Sequence, residues 1–237
     1  MTVPLVAAKQ QLRSLMRQRL SSLSQDAVLA QSRRIYEALQ DFKPYRDATR
    51  ISIFLSMPTG EVQTDAIVRH ALGCGKQVFV PYLHKPDAAD GPARVMDMVS
   101  LTGIHDYESL RPDRWGIPSV DPATLDRRRR VLGGSAELDL MLMPGVAFDL
   151  DGAGRIRRLG HGKGFYDFFL NRYLAAADGH PPLLLYGLAL TEQLLSASPG
   201  EQVPVDLHDR NLHGLILGSG QLREASSSSG TQSTVMA

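Results

Sequence analysis

Between Leu5 and Leu20 the apolar residues Leu5, Leu12, Leu15, Met16 and Leu20 recur at helical spacing, with Lys9, Arg13, Arg17 and Arg19 among them. The pattern predicts a helix that begins almost at the first residue. A second helix is predicted from Ser24, a natural N-cap, to about Leu39, ended by the loop before Pro44. The period then changes. Ile51-Ser-Ile-Phe-Leu-Ser-Met57 is a β-rich run stopped by Pro58 and Gly60, and Thr64 caps a third helix that Gly73 and Gly75 end. Gln77–Val80 reads as a strand stopped at Pro81, residues 84–92 as a loop, and Val95–Val99 as another strand. A long polar stretch from Thr102 to Ala136 precedes the apolar strand Leu138–Met143, which Pro144-Gly145 closes. Glycine-rich residues 152–164 lead into a helix from Phe165 to about Ala177, and Leu183–Leu190 and Leu215–Leu217 read as two last strands.

Strands that are nearly continuous in apolar residues and alternate with helices imply an α/β fold. The expectation is three layers, α/β/α, around a largely parallel sheet, in a single domain spanning residues 1–217. Residues 218–237 are Ser-rich without apolar periodicity and read as a disordered tail.

Composition narrows the function. With 237 residues, 43% hydrophobic and 22% charged, the chain is an ordinary globular one that can bury a large core. Its formal charge of +1 predicts no general attraction to nucleic acid or to a membrane surface. The single cysteine, Cys74, excludes an internal disulfide or a cysteine-based zinc site. No apolar run reaches membrane-spanning length, and Met1–Lys9 lacks the order of a secretory signal, so a cytoplasmic location is expected. The basic residues are twenty-one arginines and only five lysines, which makes a lysine inside a glycine loop conspicuous.

That loop is Arg158-Leu-Gly-His-Gly-Lys-Gly-Phe-Tyr-Asp167, behind Met143-Pro-Gly-Val-Ala-Phe-Asp. Gly160, Gly162 and Gly164 let backbone N–H groups approach a ligand, the helix that follows adds partial positive charge at its start, and Lys163 adds a full one. The result is a cradle for phosphates. It is neither a Walker A loop, since no Gly-Lys-Ser/Thr ends it, nor a dinucleotide fingerprint, since the Gly-x-Gly-x-x-Gly spacing is missing. Asp167, in the first helical turn, is either a carboxylate that favours the helix dipole or a magnesium ligand beside phosphates.

These blocks, with the Ile51–Met57 strand and the N-terminal Lys9-x-x-x-Arg13, resemble the 5-formyltetrahydrofolate cyclo-ligase (5,10-methenyltetrahydrofolate synthetase) family over about residues 7–213. The resemblance implies ATP- and magnesium-dependent closure of 5-formyltetrahydrofolate to 5,10-methenyltetrahydrofolate, with ADP and phosphate released through a phosphorylated N5-formyl intermediate. It further implies that Lys9 and Arg13 contact ATP phosphates and that Arg158, Leu159, Gly160, His161, Gly162, Lys163, Gly164, Phe165 and Tyr166 form the nucleotide loop. Lys163 and Tyr166 would be catalytic, with Lys163 on the transferring phosphoryl group. Asp167 and Asp209 would hold magnesium. Folate would meet Leu55 and Glu61, residues 161–165 of the loop, and Met57 and Trp115 as apolar or stacking walls. Mono- or polyglutamylated folate is the expected partner of a monomer that binds neither nucleic acid nor membrane.

This chain departs from the family pattern in places. The segment Asp-Gly-Ala-Gly-Arg-Ile-Arg before Arg158 is longer than usual, one extra residue lies between Met57 and Glu61, and His213 replaces a common acid. Arg127–Arg130 lacks interleaved aromatics and reads as a solvated loop that could meet the polyglutamate tail. The rival readings are a binding module on the same scaffold and a sugar-phosphate isomerase or CoA transferase. Retention of Lys9, Arg13, Lys163 and Asp167 argues against the first, and ATP dependence separates the second.

Overall fold

The computed structural model describes residues 3–86, 93–132, 134, 136–176, 182–196 and 201–226. Helices α1 (Val3–Ser21), α2 (Gln25–Asp41) and the short α3 (Lys43–Asp47) precede strand β1 (Arg50–Ile53). Ser24 caps α2 as expected, its side chain accepting a hydrogen bond from the Ala27 N–H. Helix α4 (Asp65–Gly73) leads to β2 (Gln77–His84) and β3 (Val95–Ser100). The polar stretch that follows holds α5 (Ile104–Glu108) and a small hairpin of β4 (Arg111–Pro112) and β5 (Pro118–Ser119). Then come β6 (Leu140–Met143), β7 (Ala147–Leu150), β8 (Ile156–Leu159), α6 (Phe165–Ala175), β9 (Leu184–Ala189), β10 (Gly214–Leu217) and β11 (Leu222–Glu224).

Seven strands form the main sheet in the order β11-β10-β9-β6-β1-β2-β3. Its five central strands are parallel, and β3 and β11 close the two edges antiparallel. Alternation along each strand divides the core. Ile51, Ile53, Val78, Val80, Leu140 and Leu142 pack with Val28, Ile35 and Leu39 of α2 and Ile67 and Val68 of α4. Phe79, Met141 and Met143 pack with Phe169, Leu170 and Tyr173 of α6. The fold is therefore α/β with helices on both faces of a mostly parallel sheet. Helix α1 lies apart from these layers, its Leu12 and Met16 packing on Ala147, Leu159, Leu195 and Val203.

Several expectations need correction. Strand β1 ends at Ile53 rather than Met57, because the Phe54 carbonyl accepts from the Thr64 hydroxyl and the Met57 N–H is drawn to Glu61. The same bond spends the Thr64 hydroxyl, which makes no cap bond to α4. Pro81 does not stop β2. The Gln77 N–H bonds the Thr49 carbonyl, so by alternation the missing N–H of Pro81 faces the β1 side, where pairing has ended at Phe79. The segment before Arg158 is not an open glycine loop but the β7–β8 hairpin, with Arg157 paired to Asp149 and Arg155 to Asp151. The ordered body does not end at residue 217. Strand β11 pairs with β10, and the Ser226 N–H bonds the Gly154 carbonyl. The rest of the expected tail (227–237), the middle of the expected loop (87–92) and the predicted helix end at Ala177 lie outside the described residues.

Nor is Arg127–Arg130 a free basic loop. Arg128 is buried against Asp106 at 2.5 Å, Arg130 pairs with the buried Asp97 at 2.8 Å, and the Arg129 guanidinium lies 5.7 Å from the Phe79 ring centre. Among the described residues, no helix is long and apolar enough to cross a membrane.

Candidate active site

In an open parallel sheet the loops leaving the carboxyl ends of the strands converge on one rim, where ligands usually bind. Here those loops carry Met57–Glu61 after β1, Gly145–Val146 after β6 and Gln193 after β9, with α1 laid across them. Together they enclose a cavity of about 970 Å³ that also includes Arg13, Arg17 and His161.

The glycine loop borders the cavity through His161. Gly162 (φ +98°) and Gly164 (φ +66°) take left-handed backbone that other residues adopt only with strain. At Gly162 a β-carbon would also sit 3.1 Å from the Arg13 Cζ, so the absence of a side chain lets the α1 guanidinium reach the loop. Arg13 Nε donates to the Gly160 carbonyl at 2.8 Å. Burial lowers the Arg13 pKa, against an opposing pull from Asp209. Burial and the charges of Arg158 and Arg13 likewise lower the pKa of His161, which favours its neutral form. Lys163 stands exposed at the loop, with no hydrogen bond or ion pair to the described residues.

Behind the loop lies a charge cluster. Lys9, buried, donates to Asp209 at 2.6 Å and lies 3.8 Å from Asp206. Arg158 donates to Asp167 at 2.9 Å and to the Pro144 carbonyl at 3.3 Å, and its guanidinium lies 5.5 Å from the centre of the Tyr166 ring. Burial raises the Tyr166 phenol far above its ordinary pKa, so it stays protonated. The Arg210 N–H reaches Asp167, which draws the 206–210 loop to the start of α6. Arg158 Nε and Asp206 Oδ2 are buried without hydrogen-bond partners among the described residues. The cluster thus keeps one donor and one acceptor unspent.

The cavity wall also holds Glu61, only 6% exposed, whose Oε1 accepts from the Met57 N–H at 2.5 Å. Burial pushes its carboxyl up to about 7, with the Met57 N–H opposing. Leu55 is buried in the core beneath this loop, while Met57 lines the cavity. Leu159 is buried in β8, and Phe165, the first residue of α6, packs on the core. Trp115 is the outlier. It is 63% exposed, its ring 5.0 Å from the Arg114 guanidinium, and it does not line the cavity.

The fold supports this site through residues the sequence did not single out. Asp149, buried and paired with Arg157, accepts from the Val203 N–H at 2.7 Å and so anchors the loop that carries Asp206 and Asp209. Gln193 donates to the Gly145 carbonyl at 2.6 Å and accepts from the Leu190 N–H. The repeat of aspartates in Val-Asp-Leu-His-Asp209 was the available signal for Asp206. His213 plays a structural part, its Nδ1 accepting from the Leu185 N–H between β9 and β10.

Fold and site define an α/β protein in which a glycine loop and the Arg13 of α1 border a cavity that carries the buried Glu61. The sequence profile of the 5-formyltetrahydrofolate cyclo-ligase family matches residues 6–217. Mouse 5-formyltetrahydrofolate cyclo-ligase is 35% identical over 210 residues, covering 89% of this chain and 93% of the relative. The Saccharomyces cerevisiae 5-formyltetrahydrofolate cyclo-ligase is 32% identical over 218 residues, covering 92% and 98%. The solution structure of Aquifex aeolicus 5,10-methenyltetrahydrofolate synthetase shares the fold, with a TM-score of 0.61 at 22% identity over 91% of this chain and 92% of that one. The chain belongs to the 5-formyltetrahydrofolate cyclo-ligase family, a family of ligases.

Proposed function

We propose that this protein converts 5-formyltetrahydrofolate to 5,10-methenyltetrahydrofolate at the expense of ATP. The observation that carries the reading is one cavity with a buried carboxylate, Glu61, on one wall and the Arg13–glycine-loop cradle on another. Glu61 as a carboxylate accepts hydrogen bonds from the amino and N–H groups of the pterin. Met57 supplies an apolar surface beside it.

The chemical problem is a poor leaving group, the oxygen of an amide-like N5-formyl group. Transfer of the terminal phosphoryl group of ATP forms a bond to that oxygen and breaks the bond to ADP. Attack by N10 on the activated carbon closes the ring with release of the N10 proton, and loss of the oxygen as phosphate leaves the methenyl bridge. Catalysis of such a transfer is chiefly positioning and charge stabilisation. Lys163, free to move, accompanies the transferring group, while Arg13, Lys9 and the loop N–H groups hold the remaining phosphates. Tyr166, kept protonated by burial, donates rather than accepts.

Magnesium suits the remaining groups. A hard cation beside phosphates takes one or two carboxylates and fills its shell with water and phosphate oxygens. Asp167 and Asp209 would hold it, sharing their charge with Arg158 and Lys9, and when bound it would neutralise phosphate charge.

The test is a heavy-oxygen label in the formyl group. The mechanism sends the label into the released inorganic phosphate. Label recovered only in water would overturn the phosphorylated intermediate.

A further inference from the structure

A folate is bipolar, with a neutral pterin at one end and the carboxylates of a glutamate, or of a glutamate chain, at the other. Glu61 and the glycine loop account for the pterin and the phosphates, which leaves the acidic end without a counterpart. The run Arg127–Arg130 does not supply one, since Arg128 and Arg130 are already paired with Asp106 and Asp97.

The cavity itself does. Arg13 and Arg17 are the arginines among its described lining residues, and the lining contains no lysine. Arg13 donates its Nε–H to the Gly160 carbonyl, and its remaining donors are assigned above to the phosphates. Arg17 is exposed at the cavity and has no acidic partner among the described residues; there its Nη2 donates only to Ser14 Oγ, at 3.0 Å, and the guanidinium keeps further donors unspent. Gln10, Arg13, Ser14, Arg17 and Ser21 follow one face of α1 that lines the cavity. Arg17 stands one turn, about 6 Å along the axis, beyond Arg13 and away from the glycine loop. A guanidinium with free paired donors is the group best matched to a carboxylate, which it binds in bidentate fashion.

We infer that Arg17, with Ser14 beside it, is the receptor for the glutamate carboxylate of the folate substrate. The polar face of α1 is then a path along which further glutamates leave the cavity. This rests on the folate reading above and deepens it by assigning the acidic end of the substrate.

The test compares 5-formyltetrahydrofolate with 5-formyltetrahydropteroate, which lacks the glutamate, on the wild-type protein and on Arg17→Ala and Arg17→Lys. Arg17 is an exposed helix residue, so both variants fold. Loss of one charge-assisted carboxylate contact raises KM for the glutamate-bearing substrate about tenfold. KM for the pteroate and KM for ATP stay within about twofold, by the absence of a carboxylate to lose. Arg17→Lys, which keeps the charge without the fork, falls between.

An equal rise for both folates, or no rise for either, overturns the assignment. So does a rise in KM for ATP alone, which would make Arg17 a phosphate ligand. Should the wild-type protein form no methenyl product, the failure belongs to the proposed reaction. Calorimetric binding of the same two folates to the wild-type protein and Arg17→Ala then decides the Arg17 question separately.

Discussion

Glu61→Gln should make the protein more stable and a poorer folate binder at the same time. The Glu61 carboxyl is buried, accepts one hydrogen bond, and is pushed from its ordinary 4.5 up to about 7. The folded state therefore holds a proton that the unfolded chain has already released between those two values. Stability falls as pH rises through that window and stays low above it. A shift of this size corresponds to about 3 kcal/mol. Glutamine keeps an acceptor for the Met57 N–H and removes the buried charge, although its neutral hydrogen bond is weaker, so the net gain at pH 8 is about 2–3 kcal/mol. For a chain of this length that is roughly 4–12 °C in melting temperature. Below pH 4.5 the carboxyl is protonated in both states and the difference should vanish. Thermal melts of the two proteins from pH 4.5 to 8.5 read this directly. Folate affinity should fall roughly 10- to 100-fold, because charge-assisted hydrogen bonds to the pterin become neutral ones. A variant no more stable than the wild type at pH 8, or an advantage that does not change with pH, would refute the reasoning.

Other expectations follow from the same geometry. Lys163→Ala should lower turnover by about a hundredfold or more with an unchanged melting temperature, since the side chain is exposed and bonds no described residue that it would orphan; steady-state kinetics beside a melt would check both. Gly162→Ala places a β-carbon 3.1 Å from the Arg13 Cζ at φ +98°. It should raise KM for ATP and cost about 1–2 kcal/mol of stability, read in urea. Asp167→Asn should shift the magnesium titration of activity to higher concentration. Ser24→Ala removes the α2 cap and should cost about 1 kcal/mol without touching kinetics.

The central sheet was legible because each of its parallel strands is an apolar run between turn residues, and burial on both faces writes that pattern directly. The β7–β8 hairpin was not, because the charged Asp149, Arg157 and Arg158 interrupt its short apolar runs, Ala147-Phe148 and Ile156 with Leu159. Strand β11 was hidden for a related reason. Leu222, Arg223 and Glu224 are all exposed, and their pairing with β10 is a backbone matter. In the site, the glycine loop announced itself by composition. The partnership of Lys9 with Asp209 joins positions 200 residues apart, and only a family resemblance or a structure can bring them together. Glu61 illustrates the limit most clearly. A single acid in a loop carries no mark of its burial, which arises from α1 and the loops after β1 and β6 closing around it.

The most direct measurement is the absorbance of the methenyl product during incubation of the purified protein with 5-formyltetrahydrofolate, with and without Mg-ATP. The account predicts growth of that signal only when Mg-ATP is present. A protein that binds the folate yet gives no signal, or gives the same signal without ATP, would contradict it.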